Sequence, residues 1–272
     1  MESLETGNTI LDSAENAPPL SAPLRPRAPN ASCVDFLESL LVTILLALFG
    51  TTFILQAFKI PSQSMEPTLL VGDHLLVNKF IFEGNGAWYE KLLPYRSVRR
   101  GDIVVFKFPY DDHPHYVKRV IGLPGDRIRI IDEQVYLNGA RLAEPYMVHD
   151  PSADDPFADN FPPSDATFAR WGLRPEWADQ IMNSVRNGEL VVPPDHYFVM
   201  GDNRDRSWDS RYWGFVDRHA IMGRPIVIYW SVEATAEDYN DRSLLGTIRG
   251  LEDGLIHLSS RTRWHRMLRE VH

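Results

Sequence analysis

SLLVTILLALFGTTFILQAF, Ser39 to Phe58, runs twenty residues without a charge between Glu38 and Lys59. As a helix rising about 1.5 Å per residue it is long enough to cross the hydrocarbon core of a bilayer. A soluble helix of that length would show a charged face, and this run has none. A cleaved signal peptide fits less well, because the run is long for an h-region and no A-x-A site follows it. The sequence therefore predicts one uncleaved membrane helix, with the anchor over residues 35–59. Residues 1–34 are rich in Pro, Ala, Ser, Asn and Glu and show no periodicity, so a disordered tail is expected there. Arg25 and Arg27 precede the span, and Lys59 is the one cation close behind it. That bias favours a cytoplasmic tail, with residues 60–272 on the extracytoplasmic side of the membrane.

That remainder reads as mostly β. DIVVFKF (102–108), RIRIID (127–132), QVYLNGARL (134–142), YFVMGD (197–202) and RPIVIYWSV (224–232) carry strand-like apolar runs or alternation. Asn138-Gly139 is a type I′ hairpin signal. From about 139 to 194 the chain turns acidic and proline-rich, and PEWADQIMNSVRNGEL suggests a short helix ending at Gly188. This stretch is expected to be a cap inserted in the β domain. The basic segment RTRWHRMLREVH near the end is compatible with an amphipathic helix, docked on the β domain or lying on a membrane. The formal net charge of −9 argues against phosphate-backbone binding, so no nucleic-acid partner is expected. The single cysteine, Cys33, excludes an internal disulfide framework and any Cys-based zinc site. His113-Pro114-His115 has no third ligand near it in sequence, and no metal is expected.

PSQSMEPTL, Pro61 to Leu69, places Ser62 and Ser64 directly after the apolar run, with no histidine beside them. A serine hydroxyl is a weak nucleophile until a base takes its proton. The base need not be histidine, since Ser–Lys pairs solve the same problem. In YVKRVIGLPGD, Tyr116 to Asp126, Lys118 and Arg119 interrupt an apolar strand. Strand alternation sends their side chains to opposite faces. A lysine near its ordinary pKa is neutral in only about one molecule in 2,500 at pH 7. Burial disfavours the ammonium and raises that fraction. Arginine stays charged, which leaves Lys118 as the candidate base. Alternation alone equally allows a solvated Lys118 with Arg119 packed in an ion pair. GDNRDRSWDSRYWGFV, Gly201 to Val216, adds Asp202, Asp205, Asp209, Arg204, Arg206 and Arg211 around Ser207 and Ser210. Such charge density suggests a turn held by ion pairs.

Together these stretches resemble the bacterial type I signal peptidases, membrane-bound serine proteases that remove signal peptides from exported proteins. SQSMEPTL resembles the nucleophile block, GDHLLVNKF (72–80) the next, KRVIGLPGDRIRI the general-base block, and GDNRDRSWDSRYWG the last, in the family's order behind an apolar span. The resemblance implies Ser64 as nucleophile and Lys118 as general base. It implies Ser62 with the Ser64 N–H as the oxyanion hole, and Ser207 as the residue orienting the lysine. It gives Asp209 and Arg211 as a supporting ion pair, with Asp202 contributing there, and Met65 as a residue packed beside the nucleophile. Gln63 stands where a small or other polar residue is common, and Arg206 and Trp208 fall at variable positions.

The resemblance thus implies a mainly β fold. An antiparallel-sheet catalytic domain with an inserted cap would follow a single transmembrane helix. No cofactor is required. The expected partners are membrane lipid and secretory preproteins with small residues at −1 and −3 of the cleavage site. Two other readings compete. A self-cleaving Ser–Lys repressor would need a DNA-binding domain, and the chain begins instead with the tail and the apolar run. A membrane-tethered β domain that binds partners without catalysis would have a lysine of ordinary pKa at 118.

Overall fold

The computed structural model describes residues 33–50, 54–82, 95–108, 115–150, 156–163, 174–235 and 258–272. The expected tail over 1–34 falls, except for Cys33 and Val34, outside the described residues, as do His113 and Pro114. Every ladder between the named strands is antiparallel, and two sheets carry the fold. The mainly β expectation therefore holds.

The apolar run is not one helix. Helix α1 spans Cys33–Phe49. Strand β1 spans Leu55–Lys59 and pairs with β2, Asp73–Asn78, from Leu55↔Asn78 to Lys59↔His74. The last residues of the predicted Ser39–Phe58 span are thus a sheet edge. Thr51, Thr52 and Phe53, between α1 and β1, lie outside the described residues. Among the described residues no helix is long and apolar enough to cross a membrane.

The larger sheet runs β1-β2-β12-β3-β4-β10-β11, and β13 pairs with β12. Its strands are β3 (Ile103–Lys107), β4 (His115–Gly122), β10 (His196–Met200), β11 (Val216–Asp217), β12 (Ile221–Ser231) and β13 (Arg269–Glu270). β12 leaves β3 for β2 after Gly223, its third residue. Gly223 permits this corner, because a Cβ there would meet the Asn78 carbonyl oxygen at 2.3 Å. β4 lies between β3 and β10, and both its faces are covered from Lys118 onward.

The smaller sheet runs β7-β6-β5-β9-β8. Here β5 is Arg127–Ile131, β6 Gln134–Leu137, β7 Ala140–Arg141, β8 Val185–Arg186 and β9 Glu189–Val191. Asn138 and Gly139 both take positive φ, as a type I′ turn requires. The helix expected to end at Gly188 stops at Ser184, and Gly188 is instead a hairpin residue. Asn187-Gly188, with φ of 54° and 77°, turns β8 into β9. The basic segment near the end does not form one amphipathic helix. A 3-10 turn at Trp264–Arg266 is followed by β13 on the sheet. Arg266 is buried against Asp73, and its Nη2 donates to Asp73 Oδ2 at 2.6 Å.

Candidate active site

Ser64 lies in a 3-10 turn, Gln63–Met65, between β1 and β2. Met65, Ile60, Leu69 and Leu75 pack together beneath it, which fixes the turn from below. Ser62 occupies the N-cap position, yet its hydroxyl does not cap the turn. It faces Ser64 Oγ instead, at 3.4 Å. The Ser64 N–H falls in the first turn, where no intrahelical carbonyl can receive it. The Ser62 hydroxyl thus stands beside the Ser64 hydroxyl, in a turn whose first N–H groups have no carbonyl of the turn to bond.

β4 brings Lys118 to that oxygen. Lys118 Nζ is 2.6 Å from Ser64 Oγ, and the lysine is 3% exposed. Burial draws its pKa down from 10.5 to about 8. Asp209 and, less strongly, Asp202 oppose the fall, while Arg211 adds to it. At pH 7 a lysine with such a pKa is neutral in roughly one molecule in ten. The alternation argument left open which of Lys118 and Arg119 is buried, and the structure buries both. Arg119, 4% exposed, donates from Nε and Nη2 to the two oxygens of Asp202 at 2.8 and 2.7 Å. Its guanidinium also lies 3.9 Å from the Tyr146 ring centre.

The third wall is the segment 201–211, which follows β10 and runs into a short helix, Ser210–Trp213. Asp209 is the N-cap of that helix and is fully buried. It accepts from Ser207 Oγ at 2.7 Å, from the Gly201 N–H at 3.0 Å and from Arg211 Nε at 2.9 Å. Burial pushes its carboxyl up, but the Arg211 charge and these hydrogen bonds outweigh it and hold the pKa below the ordinary value. The proton of the Ser207 hydroxyl therefore goes to Asp209, which leaves its lone pairs as acceptors. The segment is bound to the serine turn by the Asn203 N–H, which donates to the Ser64 carbonyl at 3.2 Å. Gly201 makes this approach possible, since a Cβ there would stand 2.4 Å from that carbonyl oxygen and 2.3 Å from Ser207 Oγ.

Ser62, Ser64, Met65, Lys118, Ser207, Asp209 and Arg211 are thus gathered in one place. Asp202 is close by but serves a different pair. It binds Arg119 and accepts from Thr68 Oγ1 at 2.5 Å, so it ties the end of the serine turn to β4 rather than joining Asp209 and Arg211. Thr68, Arg119, Glu144 and Arg204 are the supporting residues that sequence reasoning missed. Arg204 and Glu144 form a buried ion pair that anchors the 201–211 segment. The signal for Arg119 was present, because adjacent charges in a strand covered on both faces must both find partners. Nothing in the sequence pointed to Glu144. Among the described residues no group of three or more His, Cys, Asp or Glu is placed to hold a metal ion.

The arrangement has the parts for acyl transfer: a hydroxyl, a lysine of depressed pKa in contact with it, and a second hydroxyl beside the first. Comparison with known proteins gives the family. The family model described as signal peptidase, peptidase S26, matches residues 33–230. A probable signal peptidase I-2 of Synechocystis is 33% identical over 210 residues, covering 75% of this chain and 76% of that protein. A signal peptidase I of Pseudomonas fluorescens is 33% identical over 220 residues, covering 73% and 72%. That of Aquifex aeolicus is 32% identical over 250 residues, covering 80% and 92%. A crystal structure of a signal peptidase I from Enterococcus faecalis aligns with a TM-score of 0.32 at 31% identity, over 47% of this chain and 97% of that one. With a model that matches 33–230 and relatives similar over most of their length, the chain belongs to the signal peptidase family, peptidase S26.

Proposed function

We propose that this chain removes signal peptides from secretory preproteins, with Ser64 as the nucleophile and Lys118 as the general base. The observation that carries the reading is the 2.6 Å contact between Lys118 Nζ and Ser64 Oγ, made by a lysine whose pKa is drawn down to about 8. Neutral Lys118 takes the Ser64 proton as Oγ attacks the scissile carbonyl. The Ser62 hydroxyl and the Ser64 N–H receive the oxyanion, a role in which one lost donor typically costs about 10²–10³ in rate. The lysine then returns the proton to the leaving amine. A water deprotonated by Lys118 hydrolyses the acyl-enzyme. Ser207 offers a lone pair to the ammonium, and Asp209 with Arg211 holds Ser207 in place. Small side chains at −1 and −3 are the specificity this reading expects.

The same reading makes α1 a membrane anchor. None of its residues is buried, and Phe36, Leu41, Leu45 and Leu46 are exposed. Apolar side chains facing outward on all sides of a helix call for a lipid surround. Its charge-free part, Ser39–Phe49, reaches about 16 Å into a hydrocarbon core of about 30 Å. Residues 60–272 then lie on the extracytoplasmic side, where a translocated cleavage site emerges.

The test uses the full chain in detergent with a preprotein bearing an Ala-x-Ala site. Wild type cleaves after the second Ala. Ser64→Ala and Lys118→Ala are folded and slower by at least about 10³-fold, as loss of a nucleophile or its base requires. Retained activity in Lys118→Ala would place the base elsewhere.

A further inference from the structure

Two exposed side chains outside this machinery meet at its mouth. Gln63 lies between Ser62 and Ser64 and is exposed. Arg206 directly precedes Ser207 and has 54% of its side chain in solvent. Arg206 Nη1 donates to Gln63 Oε1 at 2.8 Å. Its Nη2 stands 3.6 Å from Asp150 Oδ2, whose side chain is 35% exposed. A guanidinium carries five N–H donors, and these two contacts leave most of them to solvent.

A peptide seated with its scissile carbonyl at Ser64 advances about 3.4 Å per residue. Gln63 adjoins Ser64, and Arg206 is one hydrogen bond beyond Gln63. Side chains within two residues of the scissile bond, about 7 Å of extended chain, are therefore the candidates to meet the guanidinium. The −1 position needs a small residue, which leaves −2, +1 and +2 for a charged one.

We propose that Arg206, held in orientation by Gln63, is a specificity-determining residue that favours a carboxylate side chain at −2, +1 or +2 of the substrate and disfavours lysine or arginine there. The inference rests on Ser64 being the nucleophile. Asp150 competes for the same guanidinium and is displaced by the substrate carboxylate.

The experiment uses the full chain in detergent at low salt, with one Ala-x-Ala preprotein carrying Asp, Asn or Lys at each of the three positions in turn. The readout is the ratio of kcat/KM for Asp over Lys. Wild type gives about 3–5-fold at one position or more, the scale of an exposed ion pair. Arg206→Gln brings the ratio to about 1, Arg206→Glu inverts it, and Asp150→Asn raises it. Salt at about 0.5 M flattens the series. A ratio of 1 in wild type at all three positions, or one that Arg206→Glu leaves unaltered, overturns the proposal. The Asn preprotein separates two failures. If wild type does not cleave it, the Ser64 reading falls and this inference with it. If wild type cleaves it without charge preference, this inference alone falls.

Discussion

Lys118 is a cation placed where a cation is costly, and that cost sets both its chemistry and its pH dependence. In the unfolded chain it holds a proton up to about 10.5, and in the folded chain it releases it at about 8. The unfolded state therefore binds more protons between these values. Folding bears the full penalty below pH 8 and is relieved of it as pH rises toward 10.5. Catalysis needs the neutral form, so kcat/KM on one preprotein rises with pH about tenfold per unit below 8 and levels off above it. A profile measured from pH 6 to 9.5 checks this, and a flat line would mean that Lys118 does not act as the base. Arg119, one residue on, shows why residue type mattered in reading the strand. It is buried just as deeply, but it stays charged and spends its charge on Asp202. The sequence allowed either residue to be the buried one. What it did not reveal was the acid that pairs with Arg119, because that partner lies 83 positions away.

At the scale of elements, the site is three short pieces pressed together: the serine turn, β4 and the segment 201–211. Residues 144–150 brace the last of these from outside. The Val148 N–H donates to the Asp202 carbonyl at 2.8 Å, the Arg204 N–H donates to the Val148 carbonyl at 3.0 Å, and Glu144 pairs with Arg204. Gly201 is the point of closest approach, and Gly201→Ala tests whether that closeness matters. A methyl group would overlap the Ser64 carbonyl and the Ser207 hydroxyl, and backbone on one side cannot yield as a flexible side chain would. The variant is expected to fold, since the three apolar clusters do not include Gly201, and to lose about 10²-fold or more in kcat with a smaller change in KM. Unchanged kcat would show that the turn tolerates displacement. The polar segment itself was legible as an ion-paired turn. Its pairings were not, because three acids and three arginines within ten residues admit many combinations. The actual choices depend on Glu144, Arg119 and Gln63, which come from elsewhere in the chain. The hairpin at Asn187-Gly188 was legible in principle by the rule that found Asn138-Gly139, but the helical pattern before it masked it.

For the whole molecule, the apolar run that dominates the sequence turns out to serve two structures. Its first part forms α1, and its last residues become β1 at the edge of the catalytic sheet. Hydropathy measures only the preference for leaving water. It cannot separate a helix in lipid from a strand whose apolar side chains reach a protein core. The shift shortens the candidate anchor and brings the catalytic sheet closer to it in sequence. β1 begins six residues after Phe49, and the serine turn follows within four residues of Lys59. If α1 is the anchor, charges on its surface should release the chain from a bilayer without harming the chemistry. Leu41 and Leu45 lie four residues apart on one face and are 69% and 66% exposed. An arginine at mid-helix costs about 2.5–3.5 kcal/mol in lipid. Leu41→Arg with Leu45→Arg is therefore expected to move the full chain from the carbonate-resistant liposome fraction to the supernatant. Cleavage of a short soluble Ala-x-Ala peptide persists, while cleavage of a preprotein inserted in the same liposomes falls, since the nucleophile is no longer held at the surface where the site emerges. If the wild-type chain does not sediment with liposomes, α1 is not the anchor.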